Sequence, residues 1–170
     1  MNESATAVRQ AVNLGLSALL KSQGFKKTGL TWRRARGATE VQVVQVQTAA
    51  GGWAFTINVG VYFPEVQLLE GWVLTDSPTV VDCSVDERIG FLMPELEDTW
   101  WGVGSDAALE DAGRDIVRAM SDYALPWLDT HLDPSVCAAT RFANTGQQAS
   151  AAAFREVASR RQSPSPSAVV

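Results

Sequence analysis

The sequence contains little of the chemistry that enzymes most often use. Its 170 residues include one histidine, His131, and two cysteines, Cys83 and Cys137. A serine or cysteine triad needs a histidine as general base, and no local pattern places either thiol beside His131. These three residues also lack the short ligand spacing of a zinc site, and two cysteines are too few for a disulfide framework. We therefore predict reduced thiols, no catalytic residue, no metal site and no cofactor.

Long hydrophobic runs are absent as well. Polar or charged residues interrupt every apolar stretch, so none approaches the roughly 18 apolar residues of a membrane-spanning helix. Glu3 stands where a secretory signal carries lysine or arginine. We therefore expect a cytoplasmic protein without membrane contact. With 46% hydrophobic residues, the chain can build one core, and we predict a single domain over residues 1–161. Residues 162–170 have no apolar period and two prolines, which predicts a flexible tail.

Lysine is missing after Lys27, and charge is spread unevenly along the chain. Residues 1–36 carry seven basic residues and one acid, or +6, whereas residues 65–133 carry sixteen acids and three arginines, or -13. A field of that sign repels nucleic-acid phosphate and attracts basic partners. The acids could form a solvated face that pairs partly with the basic N-terminal third. They could instead form a docking surface for a basic protein.

Periodicity predicts a helix over residues 5–23, followed by strands over 30–36 and 40–49. The apolar phase slips near Val43, which indicates either a bulge or a strand buried on both faces. Gly51-Gly52 then predicts a hairpin turn. The next strand is the clearest, because alternate residues from Trp53 to Phe63 are large and apolar, and Pro64 ends its pairing.

The second half of the chain is predicted to be mainly helical. Residues 65–82 are expected to form a long connection and residues 88–93 a further strand. Ser105 is a candidate N-cap for a long helix, in which Glu110 with Arg114 and Arg118 with Asp122 have the spacing of ion pairs. Pro126 indicates a break or kink, and one or two helices should follow from Pro134 to about residue 160. Together these elements predict an α+β fold: an antiparallel sheet of four to five strands, packed against an N-terminal helix and a C-terminal helical segment.

Several motifs, taken in order, resemble a family. They are Gly24-Phe25, Thr31-Trp32-Arg33, Phe55 to Pro64, Cys83 followed by Arg88-Ile89-Gly90, Asp98 with Trp100-Trp101, and Leu125 to Asp129. This order is similar to that of the bacterial domain of unknown function 4304, DUF4304, and would cover about residues 5–133. The resemblance implies a small bacterial protein and supplies no activity, cofactor or catalytic residue. The helical segment 134–161 lies outside it.

Two groups of residues are candidates for a binding surface. Adjacent residues on an extended segment point to opposite sides, so one of Trp100 and Trp101 can enter the core while the other anchors a partner, although burial of both is the commoner outcome. With the neighbouring acids the first group is Trp100, Trp101, Asp98, Glu110, Asp111 and Asp115. Small or polar positions opposite the apolar row could line a groove, or equally lie beneath a neighbouring helix. This second group is Asn58, Gly60 and Arg88.

Two further motifs are weaker. Residues 102–107 fit a dinucleotide fingerprint, but no βαβ unit surrounds them and acids follow at the helix start. Glu95, Glu97 and Asp98 cluster without a calcium-loop pattern, so a solvated loop is the simpler interpretation. The function is unknown from sequence alone. We expect a non-enzymatic small bacterial binding protein that docks or neutralises a basic protein, as an immunity protein does. The alternative is a carboxylate-dependent hydrolase or another small-molecule enzyme.

Overall fold

The computed structural model describes residues 3–140 and 149–163. The helices are α1 Glu3–Leu14, α2 Leu16–Ser22, α3 Pro64–Leu69, α4 Asp106–Ala119, α5 Leu125–Thr130, α6 Pro134–Ala139 and α7 Ala151–Gln162. The strands are β1 Lys26–Thr28, β2 Thr31–Arg36, β3 Glu40–Thr48, β4 Ala54–Tyr62, β5 Val85–Arg88 and β6 Trp101–Gly102. The predicted α+β class is confirmed, and the predicted flexible tail lies outside the described residues from residue 164 onward.

The sheet is antiparallel throughout, with the order β1-β2-β3-β4-β5. The two-residue strand β6 pairs with the start of β4, on the same side as β5 and next to the residues that β5 does not cover. β5 and β6 therefore share one edge of the sheet. The segment that connects them, residues 89–100, runs along this edge and leads through β6 directly into α4.

One face of the sheet packs against the helices. The apolar row of β4 points into this layer, and α1, α2, α4 and α5 supply the facing side chains. Phe55, Ile57, Val59 and Val61 are each 0% exposed, as the strict alternation predicts. Each such side chain contributes about 1.5–3 kcal/mol of burial energy. The row stops short of Trp53, however, which lies in the turn and is 66% exposed, so the inclusion of Trp53 in the core row was wrong.

The second face of the sheet is also covered, in part by the segment between α3 and β5. Its backbone is held by side chains of the sheet: Arg33 donates to the Pro78 carbonyl at 2.6 Å, and the Thr75 amide donates to the Tyr62 hydroxyl at 3.0 Å. This cover explains the phase slip in β3. Val43 and Val44 are both buried while the register on either side stays one-to-one, so the strand is buried on both faces and contains no bulge.

Three predicted elements differ from the structure. The first helix is interrupted at Gly15, where a Cβ atom would lie 2.5 Å from Val117 Cγ2, so only glycine allows α4 this close. Pro64 begins helix α3 as well as ending β4. A strand was predicted over residues 88–93, but the strand in the structure is Val85–Arg88. The residues that follow it, Ile89–Leu92, form a 3-10 turn.

The helical half follows the predicted boundaries closely. The Ser105 hydroxyl accepts from the Ala108 amide at 3.2 Å and caps α4. The predicted kink at Pro126 takes the form of a π turn, Met120–Ala124, through which α4 continues into α5. No helix in the described ranges is long and apolar enough to cross a membrane.

The C-terminal segment packs on the domain. The ring of Phe154 on α7 meets Phe63 edge-on at 5.6 Å between centroids, and Val157 is 0% exposed. Both ends of α7 are tied down by acids: Ser150 donates to Glu70 through its amide at 2.8 Å, and Arg161 pairs with Glu65 at 3.3 Å and with the buried Glu40. The described residues of this segment, 134–140 and 149–163, therefore complete the core rather than extend from it.

Candidate functional site

Exposed acids lie on both segments of the chain that flank β6. Glu95, Glu97 and Asp98 lie on the preceding loop, and Asp106, Glu110 and Asp111 lie on the first turns of α4. We refer to these six residues as the acidic face. Trp101 on β6 lies between the two segments, and its indole N–H donates to Asp115 Oδ2 on α4 at 2.9 Å. This hydrogen bond joins β6 to α4.

The acidic face is only partly neutralised by ion pairs. Asp98 pairs with Arg88, and Asp111 pairs with Arg114 one turn along the helix. The predicted i,i+4 pairs are replaced by i,i+3 pairs, Asp111–Arg114 and Asp115–Arg118. We refer to residues 65–133, with their sixteen acids, as the acidic block. Across residues 3–140 and 149–163, Arg34–Asp129 is the one ion pair that joins the basic N-terminal third to this block. Ten of the sixteen acids in the block are exposed to solvent.

The two adjacent tryptophans take different environments. Trp101 is 7% exposed and packs against Phe55, with ring centroids 6.0 Å apart. Trp100 is half-buried on the opposite side of the segment. The expectation that both are buried was therefore wrong, and the alternative, with one tryptophan in the core and one near the surface, is what the structure shows.

Trp100 belongs to a polar network centred on Arg88. The Arg88 guanidinium donates to both oxygens of Asp98, at 2.7 and 2.8 Å, and lies 5.3 Å from the centre of the Trp100 ring. It also donates through Nε to Asn58 Oδ1 at 3.2 Å, and Asn58 donates to Gln47 Oε1 at 2.9 Å. The structure thus joins residues from both predicted groups, and adds Gln47, which no sequence pattern indicated.

The carboxyl group of Asp98 is stabilised in its charged form. Partial burial raises its pKa, but hydrogen bonds from Arg88 and Trp100 and the charge of Arg88 outweigh that effect, so the pKa lies below its usual value. Asp115 behaves similarly. Burial raises its pKa, but hydrogen bonds from Arg118 and Trp101 outweigh that effect, so the pKa of Asp115 also lies below its usual value. Because Asp115 accepts from a buried tryptophan, we assign it a structural role within the predicted surface.

The predicted groove is closed at Gly60. A Cβ atom there would lie 2.8 Å from both side-chain atoms of Cys83, so the cysteine fills the space above the glycine. Cys83 is 0% exposed, and burial with the charges of Asp86 and Asp82 raises the pKa of its thiol. Of the three residues predicted to line a groove, Asn58 and Arg88 are brought together, and Gly60 instead accommodates a packing contact.

The loop that carries the acids packs closely on the 3-10 turn at Ile89–Leu92. A Cβ atom on Gly90 would overlap the Glu97 carbonyl oxygen and lie 2.6 Å from the Thr99 amide nitrogen. Thr56 on β4 adds a hydrogen bond to the Thr99 carbonyl at 2.8 Å. Leu96 occupies the left-handed region, with φ of 52°, and is 65% exposed. The loop is therefore fixed to the sheet and presents a leucine among acids.

A second network lies on the helix side of the sheet. Arg34, 6% exposed, donates to Gln42 Oε1 and Asp129 Oδ1, each at 2.7 Å, and stacks 4.5 Å from the Phe25 ring. Arg34 thus joins β2, β3 and α5. The motifs Gly24-Phe25, Thr31-Trp32-Arg33 and Leu125 to Asp129 come together at this network. Apolar periodicity carries no information about such polar contacts, and sequence reasoning missed them.

The residues considered for nucleophilic catalysis are engaged in packing. The Cys137 thiol donates to the His131 backbone carbonyl at 3.2 Å rather than to the ring, and burial raises its pKa to about 12. The His131 ring contacts the Trp127 carbonyl at 2.8 Å and stacks on Trp127 at 4.1 Å. Neither thiol is arranged as an activated nucleophile, since a thiolate is disfavoured at both positions.

Buried carboxylates are not arranged as a catalytic pair either. Asp86 and Glu87 are adjacent on β5 and therefore point to opposite faces of the sheet. Glu40 is engaged by Arg161. The described residues contain no group of three His, Cys, Asp or Glu side chains that could hold a metal ion. Gly102 and Gly104 lie between β6 and α4, in an antiparallel setting without a βαβ unit.

The family comparison covers most of the folded chain. No curated protein and no solved structure matches the chain. The model of a family described as domain of unknown function DUF4304 matches residues 16–130, which is 115 of the 170 residues. The match includes the sheet, the Arg88 network and the acidic face, and ends before α6 and α7. The chain therefore belongs to the DUF4304 family.

Proposed function

We propose that this protein is a non-enzymatic binding protein that docks a basic protein through its acidic face. The observation that carries the proposal is the exposure of the acidic block. If its acids served to balance the basic N-terminal third, ion pairs between the two would be expected, and the described residues contain one, Arg34–Asp129. The exposed carboxylates of the block project a negative field, which accelerates association with a positively charged surface.

The form of the acidic face also supports docking. Its loop is fixed to the sheet by Arg88 and by the close contact at Gly90, so little ordering is needed when a partner binds. Leu96 and Trp100 add partly exposed apolar surface beside the charges. Apolar anchors surrounded by charged residues are typical of protein interfaces. Neutralisation of a basic toxin, as by an immunity protein, is the concrete role that we propose for this surface.

The test compares the wild-type protein with two variants of equal charge. In the face variant, three acids without an ion pair in the described structure are neutralised: Glu95→Gln, Glu97→Gln and Glu110→Gln. In the control variant, three exposed acids elsewhere are neutralised: Asp76→Asn, Asp122→Asn and Glu156→Gln. Each protein is immobilised and exposed to a lysate of the source cells, and retained proteins are identified by mass spectrometry.

We expect a basic protein that is retained by the wild type and by the control variant and is lost from the face variant. Since both variants carry the same net charge, loss from the face variant alone assigns binding to the acidic face. Retention of the same proteins by all three, or equal losses from both variants, would contradict the proposal. Asp115 is left unchanged because its contact with Trp101 supports the fold.

A further inference from the structure

Asp98 and Trp100 already hold one guanidinium group. Arg88 places a terminal nitrogen 2.7 and 2.8 Å from the two Asp98 oxygens, and its guanidinium carbon lies 5.3 Å from the centre of the Trp100 ring. A carboxylate beside an aromatic face is a favourable environment for arginine, because the guanidinium both donates in a plane and stacks. The Arg88 side chain is 19% exposed, and it donates further hydrogen bonds to Asn58 and Gln47.

Arg88 leaves part of Asp98 and part of Trp100 exposed to solvent. The Asp98 side chain is 48% exposed, so its carboxylate retains acceptor capacity toward solvent. Trp100 is half-buried and keeps part of its indole accessible. Glu95 and Glu97 are exposed on the same loop and add negative charge close by. A second cation can therefore approach Asp98 and Trp100 without displacing Arg88.

We infer that the basic partner is recognised through an arginine side chain that binds the exposed part of Asp98 and of the Trp100 indole. The inference rests on the proposed function and specifies the chemistry of the partner. The Arg88 guanidinium shows within this chain that the two side chains accept the group. Lysine fits the same place less well, since its ammonium is strongly hydrated, lacks the planar donor arrangement and stacks less readily on indole.

The experiment uses two peptides of equal charge, acetylated and amidated hexaarginine and hexalysine. Each is titrated into the full-length protein at low ionic strength, and binding is followed by the indole N–H resonances of the tryptophans. Hexaarginine is expected to bind more tightly than hexalysine and to shift the Trp100 resonance, while the resonance of Trp72, which follows α3 at the end of β4 opposite to β6, stays in place.

A pair of variants then locates the preference. Trp100→Leu should weaken hexaarginine binding about two- to fivefold and leave hexalysine binding nearly unchanged, the size of an exposed cation–π contact. Trp72→Leu removes a tryptophan that is half-buried like Trp100 but lies beyond α3, and serves as the matched control, with no effect on either peptide. The wild-type resonance shift remains informative even where the Trp100 variant alters the loop.

The outcomes separate the two proposals. Salt-sensitive binding of both peptides with equal affinity, and with no Trp100 shift, would overturn the arginine inference and leave the acidic face as a docking surface. Tighter binding of hexalysine would overturn it in the same way. If neither peptide binds at low ionic strength, the docking proposal fails and the arginine inference fails with it.

Discussion

Phe55 and Trp53 are two residues apart in the sequence and differ completely in burial. Phe55 is 0% exposed beneath the helices, and Trp53 is 66% exposed in the hairpin turn. Phe55→Ala should lower the free energy of unfolding by about 2–5 kcal/mol, because it leaves a cavity that the core fills poorly. Trp53→Ala should change it by about 0.5 kcal/mol or less. Denaturant unfolding of both variants checks the contrast, and a loss under about 1 kcal/mol for Phe55→Ala would contradict the assigned core.

His131 gives the stability a pH dependence above the range of the carboxylates. Burial lowers its pKa below 6.5, and the hydrogen bond to the Trp127 carbonyl only partly offsets this. The unfolded chain therefore binds the proton first as pH falls. The contribution of neutral His131 to the free energy of unfolding is fully present above about pH 6.5, and it is lost as the pH drops toward the folded pKa of His131. Unfolding measured from pH 7.5 to 5 should show this loss in the wild type and a flatter curve in His131→Gln. Parallel curves would contradict it.

Gly90 controls the loop of the acidic face at the scale of one element. Since a Cβ atom there would overlap the Glu97 carbonyl, Gly90→Ala should push the loop from the 3-10 turn and cost about 1–3 kcal/mol. Gly102→Ala is the matched control, because a Cβ atom on Gly102 meets nothing within 4 Å. Hydrogen exchange should rise at residues 95–99 in the first variant and not in the second. Unchanged exchange in Gly90→Ala would show that the loop does not depend on this contact.

The helix α7 lies beyond the family match yet supplies part of the core. Ending the chain at Thr140 removes Phe154 and Val157 from their buried positions and exposes Phe63, so the thermal unfolding midpoint should fall clearly. Ending it at Ser163 keeps every described contact of α7 and should leave the midpoint within error. Calorimetry of the two truncated chains distinguishes them. Equal midpoints would mean that α7 adds no stability.

Element patterns were predictable where one physical signal dominates. The alternating row of β4, the Ser105 cap and the helix start at Pro134 all follow from local sequence, and the structure has each of them. Errors arose where tertiary contacts decide. Gly15 interrupts the first helix because α4 packs against it, and β3 is buried on both faces because a distant segment covers it. Neither cause can be read from a short window of residues.

The candidate site was predictable as a set of residues and not as an arrangement. Asp98, Trp100, Asn58 and Arg88 were each singled out, but in two separate groups, and antiparallel pairing of β4 with β5 brings them together. The register of β3 with β4 brings Gln47 close to Asn58. The phase slip in β3 prevented this register from being predicted. Asp115 was predicted as surface charge and instead accepts a hydrogen bond from Trp101. Side-chain pairing across strands is the information that the sequence pattern lacks.

At the scale of the whole molecule, the account depends on the separation of charge. The acidic block carries -13 and stays largely unpaired with the basic third, although the net charge is only -5. Fields of exposed charges are screened over about 30 Å at 0.01 M salt and about 8 Å at 0.15 M. Their main effect on binding is therefore a faster association at low salt. Fold stability should depend on salt much less, since the core is apolar.

The most direct measurement is the association rate of the basic protein retained by the wild type, followed by stopped flow as ionic strength is raised from about 0.01 to 0.15 M. The wild-type and control-variant rates should fall about tenfold or more over this range, whereas the face variant should be slower at low salt and change less. Dissociation rates should differ little. An association rate that is indifferent to salt and equal in the wild type and the face variant would contradict the account, and the acidic face would then be a solvated surface only.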